Sequence, residues 1–316
     1  MSGDYACHVL SHPFPESFAQ WYPYTKAKVL GEDSPWLRWL RRVMAGPVPG
    51  VSDRMIAARR EATGEWVGVV WTSVSLTCPE LAHFGWFLVD DSCRGAGVGG
   101  HIIGTCLETL AADGVRMIML PTQLENQRAI GMYYRRGWQL SITDPRGGVW
   151  MVREPAGFYR GYFTPDPQRP IHAGPPQPAD FVALDYLLSR PTAPIRLLPL
   201  ELAGNRRFVS FTHDWESAEH AVARQGGRPV AIAVAAPTPE GPWLDVFGLD
   251  RRAMAAAMRD LLDRVPGGHA DVAVTDGARR GALEDAGLHL QSVREREVAG
   301  VEIGLARYAR GSGAEE

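Results

Sequence analysis

Hydrophobic positions in the first 154 residues switch between a helical and a strand-like period. Residues 34–44 (SPWLRWLRRVM) place Trp36, Leu37, Trp39, Leu40, Val43 and Met44 at helical spacing. MIAARR and EWVGVVWTSVSL flank the turn-like EATG and predict a hairpin. HFGWFLVD reads as a further strand, and HIIGTCLETLAADG as a helix closed by Gly114. VRMIMLPT follows as a strand and NQRAIGMYYRRG as a helix ending at Gly137. WQLSIT and GVWMVRE form a predicted hairpin across DPRGG, whose proline and glycines suit a turn.

The second half repeats this order more weakly. RPVAIAVAAP and PWLDVFGLD read as strands, and RRAMAAAMRDLLDRV as a strong helix. ADVAVT is a strand, DGARRGALEDAG a helix, and LHLQSVREREV with VEIGLARYA a closing hairpin. The matching order suggests an internal duplication. Between the halves, residues 155–178 hold seven of the 24 prolines. Proline fixes φ and removes a donor, so this stretch reads as a linker or an extended crossing. Its aromatics Phe158, Tyr159, Tyr162 and Phe163 suggest that it packs on something. The expected organisation is a domain at 1–154, a proline-rich linker at 155–179 and a second domain at 180–316.

A length of 316 residues fits two domains. The composition, 45% hydrophobic and 22% charged, is that of a globular chain. A net charge of −3 offers no broad basic surface, so no nucleic-acid partner is expected. No apolar run is long enough for a transmembrane helix, and the N-terminus lacks a signal-peptide pattern, so neither membrane nor export is expected. Cys7, Cys78, Cys93 and Cys106 show no C-x-x-C spacing, so they read as free thiols of a cytoplasmic protein with no metal site. Of the 33 basic residues only Lys26 and Lys28 are lysines.

The strongest chemical signal is Arg94-Gly95-Ala96-Gly97-Val98-Gly99-Gly100, between a strand and a helix. Amides on a glycine-rich turn, together with a helix N-terminus, make an anion site. A phosphorylated cofactor is the expected ligand. Gly95, Gly97 and Gly100 match G-x-G-x-x-G, but the dinucleotide fold wants the glycines directly after its first strand and an acid about 20 residues on. Here several strands precede the motif, DDSCR intervenes, and the next strand ends MLPTQ. An unliganded turn would be an unusual use of so many glycines, which cost entropy on folding.

Arg94, Gly97 and Gly99, read as R-x-x-G-x-G after FLVDD, resemble the acyl-coenzyme A loop of the GNAT superfamily of N-acetyltransferases. Asn126, Ala129, Tyr133, Gly137 and Trp138 are similar to a second helix motif of that family, in the right order. The resemblance covers about residues 4–154. It implies an α/β (α+β) fold, a mixed twisted sheet flanked by helices, and the matching element order of the second half extends this to two tandem domains, the second one degenerate. It also implies acetyl-coenzyme A as cosubstrate and direct transfer to an amine in a ternary complex.

By the same resemblance, the backbone of Phe87, Leu88 and Val89 holds the pantetheine arm, and one N–H polarises the thioester carbonyl. Residues Gly95 to Gly100, with Ala96 and Val98, cradle the pyrophosphate, and Arg94 adds charge. Asn126 touches the arm, or caps its helix. Tyr133 matches the general acid that protonates the departing thiolate, whereas Tyr134 points elsewhere around the helix. An amine acceptor must also lose a proton. His83 and Glu80 are the expected bases, Glu125 is a third possibility, and a water relay stays open. His101 reads as structural. Trp21, Tyr22, Tyr24, Trp36, Trp39, Trp66 and Trp71 suit core packing or an aromatic acceptor pocket.

Asp276, Leu283, Gly287 and Leu288 fall at the spacings of Asn126, Tyr133, Gly137 and Trp138. The tyrosine has become Leu283, and DVFGLD runs straight into RRAMAAAM without a glycine loop. The second domain is therefore expected to bind no coenzyme A and to shape the acceptor pocket or a homodimer surface. The leading expectation is a small-molecule amine acceptor such as an antibiotic, amino sugar or natural-product intermediate. Protein or peptide acetylation and a non-catalytic acyl-coenzyme A sensor are the alternatives.

Overall fold

The computed structural model describes residues 4–143, 148–190, 219–298 and 301–310. It divides into two compact units, Met1–Pro155 and Ala156–Glu316.

The first unit runs β1 (Tyr5–Leu10), α1 (Glu16–Leu30), α2 (Pro35–Ala45), β2 (Val51–Arg60), β3 (Trp66–Ser75), β4 (Leu81–Val89), α3 (Val98–Ala112), β5 (Met117–Gln123), α4 (Gln127–Tyr134), β6 (Gln139–Thr143) and β7 (Gly148–Arg153). Its seven strands form one sheet in the order β1-β2-β3-β4-β5-β7-β6. Only β4 and β5 pair in parallel, joined through α3; the other neighbours are antiparallel. Side chains alternate across the sheet. Ile56, Val70, Phe84 and Leu120 therefore share a core with Ile102, Cys106 and Leu110 of α3 and Tyr133 of α4. Asp53, Met55, Trp71, Ser73 and His83 lie on the opposite face, as the strand register requires.

The predicted helices and strands of this half all form. Part of the turn predicted across DPRGG, at 144–147, lies outside the described residues. The pattern did not announce β1 or α1. Helix α1 carries an internal Pro23 and a weakly periodic sequence, yet it buries Phe18, Tyr22 and Lys26.

The second unit contains α5 (Phe158–Phe163), β8 (His172–Gly174), α6 (Phe181–Leu188), β9 (Glu219–Gln225), β10 (Arg228–Ala236), β11 (Trp243–Gly248), α7 (Arg251–Arg264), β12 (His269–Ala273), α8 (Gly277–Asp285), β13 (Leu288–Val298) and β14 (Val301–Arg310). Read from its β8 edge, the sheet order is β8-β9-β10-β11-β12-β14-β13. That is strand for strand the order of the first sheet, and the single parallel pair, β11 with β12, falls at the same place. Each unit is thus a mixed α/β sheet flanked by helices, and the fold occurs twice in tandem.

The proline-rich stretch read as a linker groups with the second unit. It supplies α5 and the edge strand β8, and Phe158, Tyr162 and Phe163 are buried. The prolines sit at the ends and joints of these short elements, where a missing N–H costs nothing. No helix of the described residues is long and apolar enough to cross a membrane.

Candidate active site

The site begins where β4 and β5 part. They pair only at Leu81–Met117, Ala82–Ile118 and His83–Met119. Beyond His83 the two strands have no register, which leaves a wedge between Phe84–Val89 and Leu120–Gln123. On its other edge β4 stays with β3, through a bulge between the Trp71–Gly85 and Val69–Leu88 pairs. Trp86 occupies the bulge at φ 51°, the one non-glycine residue in the left-handed region among those described. Such strain persists only where surroundings enforce it. Here the ring of Trp86 stacks on Trp71 at 4.4 Å, and its carbonyl accepts the Tyr22 hydroxyl at 2.5 Å.

The bulge decides which backbone groups reach the wedge. Asp90 N–H bonds the Val67 carbonyl. In an antiparallel ladder alternate residues face the same neighbour, so Leu88 also turns its amide and carbonyl to β3. Phe87 and Val89 then turn theirs toward the wedge. Of the three residues expected to hold an arm, these two have backbone groups placed for it. Leu88 fits by packing.

Past β4, residues 90–97 form the cradle. Asp90 accepts from the Ser92 amide at 2.9 Å and hydroxyl at 2.6 Å, which fixes the first turn. Gly95 and Gly97 take φ of 86° and 83°, and Gly97 is the N-cap of α3. These left-handed positions require glycine. The first amides of α3 have no intrahelical acceptor, so those of Val98, Gly99 and Gly100 are left for a ligand. A Cβ on Gly99 would stand 3.2 Å from Phe87 Cζ and 3.4 Å from Val89 Cγ2. Gly99 thus lets the helix start close down on β4. Arg94 is largely exposed and pairs with Asp91 at 2.5 Å, so it borders the cradle as a solvated charge. His101 is exposed on α3.

Tyr133 lies on α4, and its ring meets Phe84 edge-on at 5.8 Å, the first residue beyond the parting. The residue is 5% exposed, and its hydroxyl has no hydrogen-bond partner among the described residues. Burial pushes the phenol well above its ordinary pKa, so it keeps its proton at working pH. Tyr134, one residue on, is 49% exposed. Asn126 is the exposed N-cap residue of α4, but its side chain makes no capping bond.

The expected bases separate by position. Glu80 precedes β4 at the closed end, where its carbonyl takes the amides of Arg116 and Met117. Glu80 therefore lies at the far end of β4 from the wedge. Glu125 is exposed ahead of α4. His83 is the last paired residue before it and is 4% exposed. Its ring lies over Gly85, where a Cβ would meet His83 Cε1 at 3.0 Å, and it packs on Trp71 at 5.1 Å. The imidazole therefore leans along β4 toward the opening.

Asp53, Ser73 and His83 are successive cross-strand partners and are buried. Asp53 Oδ1 accepts the Trp71 indole N–H at 2.8 Å, while Oδ2 has no partner. Burial raises its pKa from 3.8 to about 6. A raised folded pKa favours folding while the carboxyl is protonated, and the advantage is lost as pH rises through about 6. Asp53→Asn keeps an acceptor for Trp71 and removes the titration. It is expected to exceed the parent in stability at about pH 8 by up to ~3 kcal/mol, and to lose that lead near pH 3.5. Thermal unfolding at the two pH values checks this.

Two aromatics of the first helix pack in the interior. Phe18 and Tyr22 are fully buried and in contact, and Phe18 meets Trp66 at 5.2 Å. Tyr24 is 64% exposed. The four cysteines are free, and no cluster of metal-binding side chains occurs among the described residues.

The second unit places different groups at the matching positions. Between β11 and α7 stand only residues 249 and 250. The Asp250 carboxylate caps α7 by accepting the Ala253 amide at 3.0 Å, which puts a negative charge at the helix start. β11 and β12 part after the Trp243–His269 pair. Arg279, at the position of Ala129, reaches Asp245 of β11 at 2.8 Å and Asp276 at 2.8 Å. Its guanidinium lies 5.6 Å from the Phe247 ring centre, and the residue is 3% exposed.

Residues 16–138, less than half of the chain, match the model of the acetyltransferase (GNAT) family. No curated protein matches the chain. Solved structures similar to it include an acetyltransferase of the GNAT family from Staphylococcus aureus MU50, 13% identical, covering 47% of this chain and 98% of that one with a TM-score of 0.37. Another is the ribosomal-protein-S18-alanine N-acetyltransferase of Escherichia coli, 15% identical, covering 48% and 97% with a TM-score of 0.36. A nourseothricin acetyltransferase is 23% identical and covers 33% and 65% with a TM-score of 0.28.

Proposed function

We propose that the first unit, whose residues 16–138 are a GNAT acetyltransferase domain, moves an acetyl group from acetyl-coenzyme A to the primary amine of a small molecule by direct transfer in a ternary complex. The observation that carries this reading is the free hydroxyl of Tyr133 beside a wedge toward which Phe87 and Val89 turn backbone groups, the Phe87 amide among them.

Each part has a job that its chemistry suits. The turn from Gly95 to Gly100 holds the diphosphate through the amides of Val98, Gly99 and Gly100, and Arg94 adds attraction at its rim. Asn126 faces the arm. Phe87 N–H donates to the thioester oxygen as charge develops, a preorganised contact worth roughly 3–4 kcal/mol elsewhere. The amine attacks the carbonyl carbon, the C–S bond breaks, and Tyr133 donates to the leaving sulfur. The thiol product, of pKa near 8.5, ends with a proton that the amine released. His83 borders the acceptor side of the wedge.

A sensor would have no use for an unpartnered phenol at this place, which favours an enzyme. Acetyl-coenzyme A chemistry and four free cysteines suit the cytoplasm. The test is thiol release from acetyl-coenzyme A with a panel of primary amines: an aminoalcohol, an arylethylamine, an amino sugar and a lysine peptide. Turnover of the peptide alone would move the reading to protein acetylation. Tight donor binding with no turnover would move it to a sensor.

The second unit is proposed to bind no coenzyme A. Asp250 fills the anion position, Arg279 fills the parting of the strands, and Leu283 replaces the acid. Calorimetry is expected to give one acetyl-coenzyme A per chain, and a stoichiometry of two would refute this.

A further inference from the structure

Lys26 is one of two lysines in a chain with 33 basic residues, and it is the buried one. It sits on α1, 7% exposed, with Nζ donating to the Phe87 carbonyl at 3.2 Å. Tyr22, one turn earlier, bonds the preceding carbonyl, so two side chains fix α1 on the bulge. Phe87 turns its carbonyl toward the wedge, and Nζ therefore stands beside the place where the thioester would lie. It makes no ion pair among the described residues.

Burying an ammonium without a counter-ion costs several kcal/mol, far more than one bond to a carbonyl returns. A glutamine could make that bond without the charge. An arginine, this chain's usual cation, could never give up its proton. We propose that Lys26 Nζ, docked on the Phe87 carbonyl at the parting of β4 and β5, accepts the proton that the acceptor amine must lose. The proposal rests on the transfer reading above.

The balance closes. The neutral Lys26 lone pair takes a proton from the ammonium of the acceptor, and the freed amine attacks the thioester carbon. The C–S bond breaks, and sulfur takes the Tyr133 proton. Lys26 then returns its proton through solvent to the Tyr133 phenolate. The sum is amine plus thioester giving amide plus thiol.

Burial alone lowers the lysine from 10.5 to about 8, which keeps a usable neutral fraction near neutral pH. The titratable group nearest it along α1 is Tyr22, one turn earlier, and no charged side chain contributes to the lowering. Arg38, Arg41 and Arg42 of α2 are exposed.

Lys26→Arg separates a proton acceptor from a mere hydrogen-bond donor, because it keeps the donor and the charge. Thiol release is followed against pH with the best amine of the panel, alongside calorimetric binding of acetyl-coenzyme A. For the parent, kcat/KM should rise with pH through about 8. Lys26→Arg should lose about 10- to 100-fold at neutral pH and lose that limb, while donor affinity holds. Lys26→Met should behave alike. Full activity in Lys26→Arg overturns the proposal. So does a parental limb that disappears in His83→Gln, and this second measurement decides even if the Lys26 variants fail to fold. A parent that binds the donor but turns over no amine overturns the transfer reading itself.

Discussion

Gly97→Val is expected to weaken acetyl-coenzyme A binding by at least about 100-fold, or roughly 2.7 kcal/mol, with the fold retained. Gly97 sits at φ 83° at the start of α3, with nothing within 4 Å of a Cβ. The cost is conformational rather than steric. A β-branched residue is a poor occupant of the left-handed region, so the backbone must leave it. The amides of Val98, Gly99 and Gly100 then lose their common direction, which is what a diphosphate needs. Isothermal calorimetry measures the affinity, and circular dichroism checks the fold. Parental affinity in a folded variant would remove the cradle from the account.

Tyr133→Phe should lower kcat by about 100-fold, within the 10–1000-fold span of a lost general acid. The ring packs on Phe84 and Trp138 at 5.8 Å in each case, and phenylalanine keeps both contacts. Because the hydroxyl has no partner among the described residues, removing it should leave Tm nearly unchanged. Donor affinity should also hold, so the loss falls on kcat rather than on binding. Steady-state kinetics with calorimetry distinguish these. Turnover at the parental rate would mean that sulfur leaves without help from this phenol.

Much of the site was legible because glycines and helix registers leave strong local marks. Gly95, Gly97 and Gly99 announced the cradle, and the spacing from Asn126 to Tyr133 placed α4. The correspondence of Asp276 and Leu283 with those two residues pointed to the duplication that the sheet order displays. What stayed hidden depends on partners distant in sequence. Nothing local says that Trp86 will take φ 51°, since the bulge is held by Tyr22 of α1 and by the Trp71 ring. Nothing around Lys26 in the sequence says that it is buried, because its partner, the Phe87 carbonyl, lies 61 residues away. Arg279 is buried between two aspartates, one of them 34 residues away on β11, which no local pattern reveals. The proline count at 155–178 signalled a break, but short elements with prolines at their joints fit the same composition.

Because the two units share one sheet order, the chain carries its own matched control. Differences between them isolate what a cofactor demands of this scaffold: a long glycine turn, a small residue at 129 and a donor at 133. On the reading proposed above, the second copy is relieved of those demands: it spends the position of Ala129 on an ion pair and that of Tyr133 on an apolar core residue, trading an opening for cohesion.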